Sequence, residues 1–193
     1  MSDVEHDVEL VAPPLDWPTQ LLTFWFDEHD EADWFGGGPK FDAAVTKHFA
    51  DWRAILRSQP VDTYLSSAQT ALAAIILFDQ VPRNAFRGTV EAFATDHIAL
   101  QIARRAIELR LDAGLEKHRR LFFYLPFEHS EDLRDQRESV RLISDLGDQR
   151  LLQFALDHQA MIERFGRFPH RNKPLGRADR DGEAEAVAAG SNW

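Results

Sequence analysis

Apolar residues recur at every third or fourth position along most of this chain, and no stretch alternates apolar with polar residues. The first pattern brings apolar side chains to one face of an α-helix, whereas strict alternation is typical of a half-buried β-strand. The sequence therefore predicts an all-α fold. Because the connections between the helical stretches are short, we expect a compact array of antiparallel helices, although no internal repeat is readable.

Prolines, glycines and capping residues divide this pattern into about seven helices. They are predicted at about residues 18–28, 41–59, 62–79, 95–111, 115–126, 130–146 and 149–165. The stretches VPRNAFRG and LPFEHS are interpreted as helix ends, because proline lacks the amide hydrogen that a helix interior needs. Asp79 is thus predicted at the C-terminus of the third helix, where the helix dipole disfavours a carboxylate. The stretch GGGP (36–39) is interpreted as a plain linker.

The length of 193 residues is enough for one domain with tails. Residues 1–14 are predicted to form a flexible acidic lead that ends in two prolines. Residues 15–178 are predicted to form a single helical domain, and residues 179–193 a C-terminal tail.

The acidic residues of the chain are concentrated near its start. Residues 1–39 contain ten acidic residues and no Lys or Arg, so this segment accounts for the formal net charge of -10. An acidic chain is a poor partner for nucleic acid, whose phosphates bind basic surfaces. The longest apolar run, residues 71–78, is too short to span a bilayer. Together with the lack of a signal-peptide pattern and of cysteine, this predicts a soluble, cytoplasmic protein that binds neither nucleic acid nor membrane.

The chain contains none of the short motifs that identify common enzyme classes. It has no glycine-rich phosphate loop, no G-x-S-x-G nucleophile elbow and no dinucleotide fingerprint, and the absence of cysteine excludes thiolate chemistry. Histidines and carboxylates such as those at residues 129–132 could supply a metal site, but their spacing matches no recognised ligand pattern. We therefore expect no cofactor and no metal, and any reaction to be hydrolysis or proton transfer.

Polar residues lie on the apolar faces of three predicted helices. Asp79 follows the apolar stripe of the third helix, and His158 lies within that of the seventh. His129 and Asp132 continue the apolar face of the sixth. An apolar face turns toward the core, and buried polar groups need partners. These residues are therefore either structural ion pairs or parts of a site; for Asp79, the stretch VPRNAFRG offers Arg83 and Arg87 as nearby cations.

The segment RFGRFPHRNKPLGR, residues 164–177, contains five Lys or Arg and one His but no carboxylate. The planar guanidinium of arginine suits carboxylate or phosphate oxygens. The segment therefore either binds an anion or forms ion pairs with acidic residues elsewhere. The acidic residues considered for such pairs are Asp79, Glu128, Glu131 and Asp132. We expect Arg167 to form structural ion pairs and Arg171 to contact the anion.

Together these residues predict a polar pocket for a small anionic ligand. The candidate acid–base residues are His129, Glu131, Asp132 and His158. The candidate ligand-binding residues are Asp79, Arg83, Gln136, Arg167, His170 and Arg171. The arginines would bind the anion, and a histidine tuned by a carboxylate would transfer protons. The alternative is an interaction module, in which a groove between helices takes a peptide segment and the polar cluster is purely structural.

Five sequence stretches resemble an uncharacterised bacterial family, domain-of-unknown-function family 924. They are FWF (24–26), WFGGGPKFD (34–42), DQVPRNAFRG (79–88), LPFEHSEDLRDQ (125–136) and HQAMIERFGRFPHRNKPLGR (158–177). The similarity covers about residues 18–178. It implies an all-α fold similar to that of tetratricopeptide-repeat proteins, and it implies no known activity and no catalytic residues.

Overall fold

A computed structural model of the chain describes residues 10–190, and this part of the chain contains nine α-helices, three short 3-10 helices and no β-strand. The α-helices are α1 Trp17–Phe26, α2 Glu31–Gly36, α3 Pro39–Leu56, α4 Ala68–Ala85, α5 Asp96–Glu108, α6 Lys117–Glu128, α7 Leu133–Ser144, α8 Gln149–Phe165 and α9 Glu183–Ala188. The 3-10 helices are Val61–Tyr64, Val90–Phe93 and Pro169–Arg171. The all-α prediction is confirmed, whereas the likeness to tetratricopeptide-repeat proteins stays a prediction.

Helix α4 lies at the centre of the array. It packs against α1, α3, α5 and α6, and every residue from Ala71 to Pro82 is buried. A helix that is apolar on all sides belongs in a core, which explains the uninterrupted apolar run at residues 71–78. Helices α7 and α8 pack on each other, and α7 packs on α6. From α3 to α8, successive helices are thus neighbours in space, as the short connections favour.

Aromatic side chains fill the space between α1, α3 and α6. Trp25 of α1 contacts Phe122 of α6 edge to face, with ring centroids 6.0 Å apart. Phe24, the preceding residue, contacts Phe41 and Phe49 of α3 at centroid distances of 6.0 and 5.0 Å. Aromatic pairs in such geometries stabilise a core beyond the burial of their area. They fix α1 and α3 against the helix that carries part of the candidate site.

Two helices continue through prolines that the sequence pattern treats as helix ends. Helix α4 continues past Pro82, and α6 continues past Pro126. Pro82 cannot donate a hydrogen bond to the carbonyl of Phe78, and the hydroxyl of Thr95 replaces that donor at 2.7 Å. Asp79 therefore lies inside α4, and the prediction that it ends a helix is wrong.

The other predicted boundaries are close to the observed ones, with two local differences. Residues 61–64 form a separate 3-10 helix before α4. Helix α7 begins at Leu133 instead of residue 130, because the side chain of Asp132 caps it by accepting a hydrogen bond from the backbone amide of Arg134. Helix α8 spans the predicted residues and ends at Gly166, whose φ of +68° is the left-handed conformation that glycine adopts without strain.

Two short helices, α2 and α9, lie in stretches predicted to be loop or tail. The predicted lead at residues 1–14 lies partly outside the described residues, which begin at residue 10. Within its described part, the amide of Val11 donates a hydrogen bond to Asp51 at 3.1 Å. The described helices include none that is long and apolar enough to cross a membrane.

Candidate functional site

A pocket with a cavity volume of about 330 Å³ opens mainly between α2, α4, α6 and α8. Its apolar lining consists of Trp34, Phe35, Leu121, Leu125, Leu151 and Phe154. Its polar lining consists of Gln80, Arg83, Asn84, Arg87, Glu128, His129, Arg150 and His158. Apolar walls with a few converging polar groups are typical of small-molecule sites, and the volume lies near the lower end of their range.

Helix α2 supplies an aromatic wall of the pocket. The indole N–H of Trp34 donates to the carbonyl of Trp25 at 2.7 Å, which fixes the orientation of the ring. Phe35 is 51% exposed, and Phe154 on α8 is 48% exposed. Large exposed apolar residues that line a cavity offer contact area to a ligand. The aromatic side chains therefore form both a wall and the open edge of this pocket.

Asp79 and His129 form a hydrogen-bonded pair beside the pocket. Asp79 is fully buried, and its Oδ1 lies 2.8 Å from Nδ1 of His129, which lines the pocket. Gln80 donates to the other carboxylate oxygen at 2.5 Å, and Arg83 lies 3.3 Å from the carboxylate. Burial opposes ionisation, but Arg83 and His129 outweigh it and hold the pKa of Asp79 well below its usual range. Asp79 is therefore an anion that accepts hydrogen bonds.

His129 is the neutral partner of this carboxylate at pH 7. Burial, and then the charge of Arg83, lower the pKa of His129 below its usual value. A neutral imidazole carries one hydrogen, and the ionised Asp79 assigns that hydrogen to Nδ1. The lone pair of Nε2 is then free to accept a proton. An imidazole held in this way has the features of a general base.

Arg83 is held between two carboxylates. Its Nη1 and Nη2 donate to Asp96 at 2.7 and 2.9 Å, and Nη1 also donates to the backbone carbonyl of Asp79 at 2.5 Å. Two-point pairs of this kind are the strongest that arginine makes with a carboxylate. Arg83 thus lines the pocket and at the same time orients the Asp79 side chain.

Glu128, the last residue of α6, also lines the pocket, with its side chain 7% exposed. Burial, and then the charge of Asp79, raise the pKa of Glu128 to about 8. Nδ1 of His158 lies 3.6 Å from the carboxyl group, but that nitrogen is 2.9 Å from the carbonyl of Phe154. Burial lowers the pKa of His158 well below its usual value. The carboxyl group of Glu128 is therefore mostly protonated at pH 7, beside a neutral histidine.

Two further arginines line the pocket at its exposed edge. The side chains of Arg87 and Arg150 are 60% and 61% exposed. Arg87 donates to both carboxylate oxygens of Asp42 at 3.0 and 2.9 Å, and Arg150 pairs with Glu31 at the start of α2. Exposed ion pairs contribute only about 0–1 kcal/mol. These two cations can therefore bind a different anion with little loss of stability.

The structure brings four of the predicted site residues together: three line the pocket, and Asp79 lies against His129 just outside the lining. The four are Asp79, Arg83, His129 and His158, and the ring centroids of the two histidines are 6.5 Å apart. The six other predicted site residues also lie outside the pocket lining: Glu131, Asp132, Gln136, Arg167, His170 and Arg171.

The two predicted carboxylates on the α7 side have structural partners. Glu131 accepts hydrogen bonds from Arg177 at 2.8 and 3.0 Å. Asp132 caps α7, with its side chain 41% exposed. The carboxylate that binds His129 is Asp79. In the part of the chain that the structure describes, no group of three or more histidine or carboxylate side chains is placed to hold a metal ion.

Gln136 and Arg167 connect backbone segments. The side-chain amide of Gln136 donates to the carbonyls of Glu128 and Ser130, each at 2.6 Å, and so binds the free end of α6. Arg167 pairs with Glu183 of α9, rather than with the acidic residues considered from the sequence.

Arg171 and His170 lie outside the pocket lining, in the 3-10 helix that follows α8. The guanidinium of Arg171 lies over the rings of Phe93 and Phe168 at 4.8 and 4.6 Å, and Nη1 is 3.5 Å from Asp96. Burial, and then Arg171, lower the pKa of His170 to about 3. Arg171 therefore joins the ion pair of Asp96 and does not line the pocket.

Sequence reasoning missed the aromatic wall and one face of α4. Gln80 and Asn84 of α4 are four residues apart, which is the spacing of one helical face. That signal becomes readable once α4 is allowed to continue through Pro82. Trp34 stands in a stretch without a helical pattern, so its place in the pocket had no local signal.

Comparison with known proteins shows one family and one solved structure. The model of a family described as "Bacterial protein of unknown function (DUF924)" matches residues 21–191. A solved protein of unknown function from Agrobacterium tumefaciens, ATU0120, is 36% identical to this chain, and the match covers 90% of this chain and 97% of that one. The TM-score is 0.84, so the two proteins share a fold along nearly their whole length. None of the curated proteins matches the chain.

Proposed function

The chain belongs to the DUF924 family of bacterial proteins of unknown function, and we propose that it binds a small anionic molecule in the pocket and acts on it by hydrolysis or proton transfer. His129 is the general base, and Asp79 orients it. The observation that carries this proposal is the 2.8 Å contact between Nδ1 of His129 and Oδ1 of Asp79, on a histidine that lines the pocket.

The carboxylate–imidazole pair supports base catalysis for two reasons. Asp79 keeps the hydrogen on Nδ1, which leaves Nε2 ready to accept a proton. When Nε2 takes that proton, the buried negative charge of Asp79 stabilises the imidazolium that forms. A positioned general base of this kind accelerates a reaction by about 10²–10⁴-fold.

The composition of the pocket limits which group the base acts on. Among the described residues that line it there is no Ser, Thr, Cys or Lys, so the protein offers none of these nucleophiles there. The base therefore removes a proton either from a water molecule, which then attacks the ligand, or from the ligand itself. The first reaction is a hydrolysis and the second is a proton transfer.

The anionic group of the ligand binds at the edge of the pocket, on Arg87 and Arg150. Both side chains are about 60% exposed, and each is engaged in an exposed ion pair. The ligand's anion takes the place of these weak partners. Arg83 is less suited to this role, because Asp96 and Asp79 already compensate its charge. The apolar lining from α2, α6 and α8 then contacts an apolar body on the same ligand.

Thermal unfolding with a panel of small anions tests the binding. The panel comprises inorganic phosphate, hexanoate and 3-phenylpropionate. We expect at least one carboxylate to raise the Tm of the wild-type protein, because a ligand at one hundred times its Kd stabilises by about 2.7 kcal/mol. The double variant Arg87→Gln/Arg150→Gln should lose this increase. Arg137→Gln, which changes an exposed arginine of α7, is the matched control. If no member of the panel changes the Tm, the proposal is contradicted and the polar cluster is structural.

The role of His129 is tested with the variant His129→Asn. The asparagine amide can still donate to Asp79 from nearly the place of Nδ1, but it has no counterpart of Nε2. A panel of monoesters and monoamides of aromatic dicarboxylic acids, which keep one carboxylate, is followed by NMR in deuterated water and reports both hydrolysis and proton exchange. We expect a loss of about 10²–10⁴-fold in the turnover that the wild type shows. His97→Asn, at an exposed position on α5, should keep that turnover.

A further inference from the structure

Glu128 is an ionisable side chain of the pocket lining that has no Lys or Arg partner among the described residues. Leu121, Leu125 and Glu128 are spaced by four and three residues, so one face of α6 carries all three into the pocket lining. Within residues 10–190, no Lys or Arg nitrogen lies within 4.0 Å of its carboxyl group, and its ion-pair contact is the Nδ1 of His158 at 3.6 Å. That contact is long, and the same nitrogen is closer to a backbone carbonyl.

The other charged side chains at the pocket are balanced. Asp79 has His129 and Arg83 as partners, and Arg83 is paired with Asp96 as well. The two arginines of the edge each have an acidic partner, Asp42 for Arg87 and Glu31 for Arg150. Among the described residues that line the pocket, Glu128 is thus the one whose ionised side chain has no cation to balance its charge.

A buried carboxylate without a cation is strongly disfavoured, and a ligand that carries a positive group removes this penalty. Building on the proposed function, we infer that the ligand is amphoteric, with an amino group that binds Glu128 and an acidic group that binds Arg87 and Arg150. Its chemical class is an amino acid with a large apolar side chain, either free or at the amino end of a short peptide.

The walls of the pocket fit this class. Leu121 and Leu125 lead along α6 to the carboxyl group of Glu128, and Trp34 and Phe154 add aromatic surface from α2 and α8. A cavity of about 330 Å³ suits a small molecule with one large apolar side chain. Free amino acids and peptides share the ammonium group, and they differ in the group that is bonded to the carbonyl carbon. The open edge of the pocket is where the group bonded to the carbonyl carbon would contact the protein.

Binding of the amino group is coupled to loss of a proton from Glu128. The ionisable groups that face it are Asp79 and Arg83 of α4, His129 beside it, and His158 of α8. At pH 7 both histidines are neutral, and the negative charge of Asp79 opposes ionisation of Glu128. Because the pKa of Glu128 is about 8, the carboxyl group must ionise to bind an ammonium. The affinity for the ammonium therefore rises between pH 6 and pH 8, and a proton is released.

Isothermal titration calorimetry with three matched probes tests the inference. The probes are L-phenylalanine, 3-phenylpropionate, which lacks the amino group, and 2-phenylethylamine, which lacks the acidic group. We expect the wild-type protein to bind L-phenylalanine at least about tenfold more tightly than either other probe, as is usual for a charged hydrogen bond. A fourth probe, L-phenylalanylglycine, distinguishes a peptide from a free amino acid. If it binds more tightly than L-phenylalanine, the ligand is a peptide, and if it binds more weakly, the ligand is a free amino acid.

The variant Glu128→Gln links the amino preference to this side chain. It should lower the affinity for L-phenylalanine by about 10- to 100-fold and leave that for 3-phenylpropionate unchanged. It should also remove the rise in affinity between pH 6 and pH 8, which in the wild type approaches about tenfold per pH unit. Glu116→Gln, at an exposed position just before α6, is the matched control and should keep both properties.

The outcomes separate this inference from the proposed function. Equal binding of L-phenylalanine and 3-phenylpropionate by the wild type, or an unchanged amino preference in Glu128→Gln, overturns the amphoteric ligand and keeps the anion site. Failure of all four probes to bind the wild-type protein overturns both.

Discussion

Arg167 and Glu183 form a two-point ion pair, in which Nε and Nη2 of the arginine lie 2.8 and 2.6 Å from the two carboxylate oxygens. Glu183 is fully buried and also accepts a hydrogen bond from Asn172 at 2.9 Å. The hydrogen bond from Arg167 is the main reason that the pKa of Glu183 falls to about 2. The pair connects the segment after α8 with α9.

The first prediction is that Arg167→Gln lowers the Tm by several degrees, because it leaves Glu183 buried without its cation. Arg137→Gln, at an exposed position, should leave the Tm unchanged. The lowered pKa of Glu183 means that its contribution to stability is present above the unfolded value of about 4.5 and is lost as the pH falls toward 2. Urea unfolding between pH 2 and pH 7 should therefore show a weaker acid dependence for Arg167→Gln.

The second prediction concerns the hydroxyl that allows α4 to pass Pro82. Thr95→Val keeps the shape of the side chain but removes the donor to the carbonyl of Phe78 and the acceptor for Arg53. Since both partners are buried, we expect a loss of about 1–3 kcal/mol in the free energy of unfolding. Thr95→Ser retains the hydroxyl and should lose clearly less. A smaller loss for Thr95→Val than for Thr95→Ser would show that the methyl group matters and the hydrogen bond does not.

The same hydroxyl explains why part of the fold was not predictable from the sequence. A helix end at Pro82 is the correct expectation from local rules, since proline removes an interior hydrogen bond. The replacement donor, Thr95, comes from a different helix boundary and is known only once the chain has folded. By contrast, α8 was predictable, because its apolar spacing and the glycine at position 166 are local signals.

The candidate site likewise has parts that the sequence predicts and parts that it does not. His129 and Asp79 are readable as polar residues on apolar faces, although nothing local shows that they meet across fifty positions. Trp34 reaches the pocket from α2, a helix of only six residues with no apolar stripe. Arg150 pairs with Glu31, which is 119 residues away in the sequence. These contacts form when the helices pack together, and the local spacing of residues in the sequence does not predict them.

The third prediction uses the raised pKa of Glu128. On folding, the pKa of this carboxyl group rises from 4.5 to about 8. Its contribution to the stability of the folded protein is therefore complete below pH 4.5 and is lost as the pH rises through 8. The Gln variant cannot ionise, so Glu128→Gln should be more stable than the wild type at pH 9, by at most about 5 kcal/mol. The two proteins should converge near pH 4. A constant difference from pH 4 to pH 9 in denaturant unfolding would contradict the raised pKa.

The fourth prediction concerns Arg171, which is buried beside an ion pair that is complete without it. Asp96 is already bound at two points by Arg83, and burial, followed by the charge of Arg83, lowers the pKa of Arg171 to about 10. Its Nε has no hydrogen-bond partner among the described residues. Arg171→Met keeps the contacts with the neighbouring rings, so the free energy of unfolding should stay the same or rise by up to about 2 kcal/mol.

Arg83→Met is the contrast to this variant. It removes the two-point partner of Asp96 and the cation beside Asp79, and we expect a loss of about 3–5 kcal/mol. Chemical unfolding of both variants at pH 7 measures the difference. A loss of more than about 1 kcal/mol for Arg171→Met would show that its cation is required for the fold.

The last prediction separates the structural and chemical roles of Asp79. In Asp79→Asn the side-chain oxygen can still accept the hydrogen of Nδ1 of His129, but the negative charge is gone. The pKa of His129, already lowered, should fall further because Asp79 is the charge that raises it, and imidazole NMR signals measure this. Arg83 keeps Asp96 as its partner, so the loss of stability should stay near about 3 kcal/mol.

Binding of 3-phenylpropionate should be retained, because the edge arginines are untouched, whereas turnover should fall by about 10²-fold or more. Turnover within a factor of about three of the wild type would leave Asp79 as a structural ion pair, and His129 without a carboxylate partner in catalysis.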